Sequence, residues 1–468
     1  MSDRVQVLND APIRAEAKYV LYWAQMNRRT TSNHALAHAI SLANELNLPV
    51  LYYEGLTCSY PHANDRFHTF ILEGVPETAS RLKKLGAGYA FYLRRSASDS
   101  NDVLYQLAAD AAAVVTDDYP VFVAAAHNAR VPGRIGVAYR TVDSSCIVPM
   151  FLFEKREYAA YTLRPKIQRL LPSHLAALPM PAVRRRWNLP APRFHTPVSQ
   201  GDVPRLVASC NIDHSVGPSL TFRGGMSEAE LRLKAFLDRG LRRYAKEKNE
   251  PSANATSRLS PYLHFGHVSS LEVALAVKGR AEEDKLIDSE FLEELIVRRE
   301  LAFNHTRHGG PNPASLDLLP EWAKRSLKAH ASDPRVPLYS REQFEGAATH
   351  DPLWNATQSE LLLRGTIQGY YRMYWGKKIL EWSASPQDAV DTMVYLHDRY
   401  ALDGRDPNTY TNILWCLGLH DRPWFERPIF GVVRYMSLDG MKRKTDVEAY
   451  IKEIHHIERT RTDPFLSI

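Results

Sequence analysis

The apolar pattern of this chain changes once along its length, and that change limits the possible folds more than any other feature. Over roughly the first 150 residues, short apolar runs alternate with helical periods. Lys18–Tyr22, Pro49–Tyr53, Gly88–Leu93, Ala112–Thr116 and Arg134–Arg140 read as strands. Asn33–Leu46 and Asp65–Leu85 between them carry helical spacing. Strands alternating with helices predict an α/β unit with a parallel, doubly wound sheet. Such sheets bind ligands outside the carboxyl ends of their strands. No GxGxxG accompanies these strands, so the usual dinucleotide fingerprint is missing.

Seven of the 29 prolines then fall within residues 172–204, a density that prevents long helices. From Met226 onward the pattern is almost wholly helical, over Ala229–Lys248, Ser289–Asn304, Ser359–Glu381, Pro386–Tyr400 and Thr445–His455. The expected organisation is an α/β domain over 1–170, a proline-rich linker over 171–225 and an all-α domain over 226–468. Arg184–Arg186 in the linker reads first as solvated surface and second as a nucleic-acid contact.

At 468 residues, 44% apolar and 24% charged, the chain is neither disordered nor fibrous. Its net charge of +6 permits a polyanionic partner without requiring one. Cys58, Cys146, Cys210 and Cys416 are too scattered for zinc or iron–sulfur spacing, and they suit a reducing compartment. No metal is expected. The N-terminal stretch has no apolar signal-peptide region, and no apolar run approaches the ~20 residues of a membrane span. A cytoplasmic monomer with no membrane partner is expected, nucleoid-associated if the source is prokaryotic.

Most of the eight tryptophans lie in the last third of the chain, and chemistry is expected there. In Asn254–Gly266 (NATSRLSPYLHFG), Thr256, Ser257 and Ser260 place three hydroxyls within five positions, followed by Pro261. This is either a capped helix start or a phosphate cradle. Trp375 and Trp382 are seven residues apart on one expected helix, with Trp354 21 residues before Trp375. Indoles at such spacing are either core or an electron relay.

The wording of these segments is more specific than their physics. TSRLSPYLHFG resembles the flavin-phosphate segment of the photolyase and cryptochrome family. FLEELIVRRELAFN (291–304), HDPLWNATQSELL (350–362), RMYWGKKILEW (372–382), DGRDPN (403–408) and HDRPWFERPIFGVVRYM (420–436) are similar to class II cyclobutane-pyrimidine-dimer DNA photolyases. YVLYWAQMNRR and NHALAHAI near the N-terminus also resemble that class, so the likeness runs in order along nearly the whole chain.

The resemblance implies an antenna-type first domain and a helical domain that binds FAD. It also implies light-driven repair of pyrimidine dimers in DNA by electron transfer from reduced FAD. By resemblance, Tyr244, Thr256, Ser257, Leu259 and Ser260 hold the FAD phosphates and ribose. Arg372 and Asp403 lie beside its ring, where a cation suits an anionic flavin. Trp375 is the inner member of the relay, with Trp354 and Trp382 further out. Glu294 and Trp415 face a flipped-out lesion, with an aromatic wall restoring stacking, and Met373 belongs to the same surface, near the ring. Arg422 and Arg434 meet the DNA backbone. An antenna pigment is open, either deazaflavin-type or none.

Several residues depart from the family pattern. His397 stands where asparagine faces flavin N5, and an imidazole can titrate near neutral pH where an amide cannot. Thr409 and Asn412 replace glycines, Gln368 a histidine, Tyr371 a methionine and His34 a tryptophan. Arg298 occupies the place of a second lesion-flanking tryptophan, and WCLGLHD (415–421) is one residue short. These changes are expected to gather around flavin and substrate. They keep open a photolyase-like flavoprotein without dimer repair, with light-responsive signalling or altered flavin chemistry. A DNA-binding scaffold without flavin is the third reading.

Overall fold

The computed structural model describes residues 2–284 and 290–467. Six strands form one sheet: β1 Val5–Val7, β2 Tyr19–Trp23, β3 Val50–Thr57, β4 Gly88–Arg94, β5 Ala111–Asp117 and β6 Ala138–Val142. Their order is β1-β6-β5-β2-β3-β4, and every pairing is parallel except that of β1 on β6. The central strand β2 is buried along its whole length. Its alternate residues feed two separate cores, Val20 and Tyr22 on one face, Tyr19, Leu21 and Trp23 on the other. β6 begins later than its apolar run suggests, because Pro132–Arg134 form a 3₁₀ turn first.

Strand order reverses beside β2. There the Asp117 carboxylate accepts hydrogen bonds from three successive backbone N–H groups, Gln25, Met26 and Asn27, at 2.8–3.0 Å. The 21-residue helix Asp65–Leu85 joins the two halves of the molecule. Its Phe70 packs 5.0 Å from Phe265 and 5.4 Å from Tyr262 of the helical half.

The helix Ala160–His174 runs past residue 170 with Pro172 inside its last turn. The proline-rich stretch beyond it lies on the sheet. Trp187 packs 5.7 Å from Tyr19, and a Cβ on Gly88 would fall 2.3 Å from its ring, so only glycine fits there.

The helical half departs from expectation at two breaks. Ser359–Glu381 is not one helix but two, Pro352–Arg364 and Gly369–Trp382. Gly365 ends the first with φ near 80°, a conformation that suits glycine. The Gln368 side chain caps the second by accepting from Tyr370 and Tyr371 N–H. Ala229–Lys248 is interrupted by a wide turn over Phe236–Gly240, between Met226–Ala235 and Leu241–Glu247. Ser289 lies outside the described residues. The rest of that expected helix spans Glu290–Leu292, a wide turn at Glu293–Arg298, and Arg299–His308. Pro386–Tyr400 is helical as expected, and the last long helix is Val447–Thr460, started by the Asp446 cap. Among the described residues, no helix is long and apolar enough to cross a membrane.

Candidate functional site

Two buried side chains and one half-buried one, from different elements, converge with unmet hydrogen-bonding capacity. Arg372 comes from the first turn of Gly369–Trp382, His397 from the end of Pro386–Tyr400, and Asp403 from the loop that follows. Arg372 Nη2 donates to Asp403 Oδ2 at 2.8 Å and to Ile367 O at 3.0 Å. Arg372 Nε, Asp403 Oδ1 and His397 Nδ1 have no hydrogen-bond partner within the protein. Buried polar atoms are rarely left this way, so the cluster is complementary to a group that supplies both donors and acceptors.

Burial pushes the Asp403 carboxyl up, but the charge and hydrogen bond of Arg372, aided by His397, hold it below the ordinary carboxylate range. For His397 the sequence leaves the direction of the shift open, and the fold sets it. Desolvation first, and the Arg372 charge second, push it down to about 3, so its imidazole stays neutral near pH 7 without a ligand. A depressed base has a definite sign. Below the unfolded value of 6.5 the unfolded chain takes up a proton that folded His397 refuses, so stability falls as pH drops from 6.5 toward 3. His397→Asn removes that penalty. At pH 5 the flavin-free variant should gain about 2 kcal/mol relative to its difference from wild type at pH 7, read from urea unfolding curves. Parallel stability curves for the two proteins over pH 5–7 would contradict this.

The hydroxyl segment lines an adjoining cavity of about 180 Å³, with Thr256, Ser257, Leu259 and Ser260 in its wall beside Arg258, Gln368 and Gly369. The helix after it, Ser260–His264, is only five residues long, so its dipole adds little here, and the wall is made of side chains and loop backbone. Tyr244 is not in that wall. It packs against Phe236 and Phe291, with Lys248 Nζ 5.6 Å from its ring. Lys248 bonds Glu290 at 2.8 Å and Glu294 at 3.1 Å, so Glu294 is an ion-pair member. Gln368 Nε2 donates to Lys248 O and ties this wall to the Arg372 helix.

The three indoles form a bent row. The Trp375 ring is 5.1 Å from His397 and stacks on Trp354 at 6.3 Å with 5° between planes. Trp354 meets Trp382 edge-on, also at 6.3 Å. Trp354 Nε1 donates to Trp375 O, and Trp375 Nε1 to Gln358 Oε1. Trp382 is itself buried, at 4% exposure, so it is not the surface end. Half-buried Tyr339, 5.7 Å from Trp382, lies beyond it and pairs with His350 at 2.7 Å. His350 sits in the quoted HDPLWN segment, but Tyr339 gave no sequence signal.

Trp415 is half-buried on Pro407–Cys416. The next residue, Cys416, places its Sγ 4.0 Å from Met373 O, which brings Trp415 and Met373 onto adjacent helices. Arg422 and Arg434 converge on one exposed indole, Trp424, at 5.2 and 4.9 Å. Phe425 beside it is 89% exposed. Sequence reading took the arginines and passed over this WF pair, whose signal was two large aromatics among charged residues.

The departures do not all gather at the site. Thr409 does, donating its hydroxyl to Asp403 O at 3.0 Å, and Gln368 lines the cavity. Tyr371 instead packs on Tyr450 and bonds Thr445, Asn412 is exposed, Arg298 pairs with Glu293, and His34 is buried at the start of a helix on the sheet.

Known proteins resemble this chain in sequence and in fold. The family model described as DNA photolyase matches residues 20–183. A deoxyribodipyrimidine photo-lyase of Methanothermobacter thermautotrophicus is 40% identical, covering 97% of this chain and 98% of that protein. An Arabidopsis thaliana protein of the same name is 35% identical, over 96% and 92%. In fold, a Synechocystis cryptochrome superposes with a TM-score of 0.69 at 18% identity, covering 93% of this chain and 88% of that one. A class III photolyase from Agrobacterium tumefaciens does so at 0.68 and 18%, over 94% and 86%. An α/β sheet joined to a helical domain, with 35–40% identity over nearly the whole chain, leaves one assignment: the chain belongs to the photolyase and cryptochrome family.

Proposed function

We propose that this protein is a class II photolyase that repairs cyclobutane pyrimidine dimers in DNA by light-driven electron transfer. The observation that carries the reading is the trio of unpaired buried atoms on Arg372, Asp403 and His397, placed against the inner end of the tryptophan row. The family implies FAD, and these residues fit it: a flavin edge presents ring nitrogens, an N–H and carbonyls to such a set. When bound, FAD supplies light absorption and the transferred electron.

The chain's own residues supply the rest. Thr256, Ser257, Leu259 and Ser260 hold the phosphates and ribose, with Tyr244 bracing the neighbouring wall. Arg372 offers positive charge to a reduced ring, and Asp403 orients Arg372. Trp375, Trp354 and Trp382 refill the site with electrons. Trp415, Met373 and Glu294 receive a flipped-out dimer, with stacking on Trp415 offsetting the few kcal/mol of unpairing. Lys248 holds Glu294 in an ion pair. Arg422 and Arg434, splayed on Trp424, hold the displaced backbone. Residues 1–170, 171–225 and 226–468 act as antenna-type domain, linker and catalytic domain.

The test is dimer loss from a dimer-containing oligonucleotide under blue light and reducing conditions. Dimer loss that needs both light and the protein is expected. Stoichiometric flavin with no dimer loss would replace this reading with that of a photolyase-like flavoprotein of other chemistry.

A further inference from the structure

Lys378 lies inside the helix that carries the tryptophans and is only 5% exposed. It stands four residues after Tyr374 and four before Trp382, so all three side chains share one helix face. Its ammonium is 5.5 Å from the Tyr374 ring, 5.5 Å from Trp382 and 4.9 Å from Tyr435. It donates to Glu381 Oε2 at 2.6 Å and to the Tyr435 hydroxyl at 3.3 Å. Among the described residues, the relay indole found under this cation is Trp382. Trp354 and Trp375 stack with each other instead.

A neutral indole attracts an ammonium through its ring quadrupole. An indole that has lost an electron is a cation, and the same ammonium then repels it. From this geometry we propose that Lys378 is a positioning residue for charge in the relay. It makes Trp382 harder to oxidise than Trp354, and Glu381 sets how strongly. The proposal rests on the relay reading above. In electrons, Trp375 gives one to the photoexcited cofactor and is refilled by Trp354. The hole then stays on Trp354 or is refilled from Trp382. No bond forms or breaks, and an added thiol finally supplies the missing electron.

The two charges give the test opposite signs. Lys378→Met removes the cation and leaves the Glu381 carboxylate, which favours a hole on Trp382. Glu381→Gln leaves the ammonium unneutralised and disfavours it. The readout is the transient indole-radical absorbance after a light flash on flavin-loaded protein, not repair. In each background, the share that disappears on adding Trp382→Phe is the share held by Trp382. That share should rise roughly tenfold relative to the Trp354 share in Lys378→Met, given a unit charge at this range. It should fall below wild type in Glu381→Gln and stay near wild type in Lys378→Arg, which keeps the charge. Shifts in the same direction for Lys378→Met and Glu381→Gln, or none in either, would overturn the proposal. Trp375→Phe separates the two readings. If that variant photoreduces normally, the relay itself is wrong. If it does not, and the charge variants are silent, only the role of Lys378 falls.

Discussion

Trp375→Phe protein under blue light with excess thiol should keep its flavin oxidised, while wild type bleaches. Essentially all photoreduction should be lost, because among the described residues no other indole touches the inner end of the row. Trp375 lies against His397, whereas Trp354 is reached only through Trp375. Phenylalanine fills most of the space but is far harder to oxidise. The variant also strands the Gln358 carbonyl that Trp375 Nε1 satisfied, at about 1–3 kcal/mol for a buried acceptor. Flavin content and the melting curve therefore need to accompany the bleaching trace. Trp354→Phe should give a partial loss, since one electron can still leave Trp375 but the hole it creates is not refilled. Bleaching of Trp375→Phe at the wild-type rate, with flavin retained, would remove the row from electron supply.

The row was legible in the sequence as a spacing, but its course was not. Residues 375 and 382 fall on one helix face whether or not they touch, and they do not pair directly in the row. Trp354, from a different helix, stands between them. The helix break at Gly365 was equally hidden. Apolar spacing runs through Ser359–Glu381 without interruption, and only a left-handed φ at one glycine and a glutamine cap divide it. By contrast β2 was plain, because a strand buried on both faces must be apolar at every position. The three-residue β1 carries no such pattern and was missed.

At the site, chain order hid the partnerships. Arg372 and Asp403 are 31 positions apart and Lys248 and Glu294 46, and no periodicity links such pairs. The first was named through family resemblance and the second not at all. His397 was named as a departure from an asparagine that faces flavin N5, and the fold sets it within the electrostatic reach of Arg372 and Asp403, but its protonation depended on burial that only the fold reveals.

Asp403→Ala should be the most damaging single change near the site in the flavin-free protein. The carboxylate is 8% exposed and Arg372 18%, and they meet at 2.8 Å. Without Asp403 the guanidinium keeps only Ile367 O, with its Nε already unpartnered. A buried charge stripped of its partner costs about 3–5 kcal/mol, and the residual exposure of Arg372 favours the lower end. The pH dependence follows from the lowered Asp403 value. The pair's stabilisation is fully present above the unfolded carboxylate value near 3.8 and is lost as pH falls through the still lower folded value. Wild type and variant should therefore differ by about 3 kcal/mol in urea unfolding at pH 7 and at pH 5, and converge only below pH 4. Asp403→Asn keeps an oxygen for Arg372 but not the charge, so it should fall between them. Flavin retention on gel filtration should follow the same order, because Arg372 can present its charge to a reduced ring only while Asp403 fixes its direction. Equal stability of wild type and Asp403→Ala at pH 7 would mean that water reaches the guanidinium, and the pair would then be neither a structural anchor nor the pre-set charge that flavin binding at this site requires.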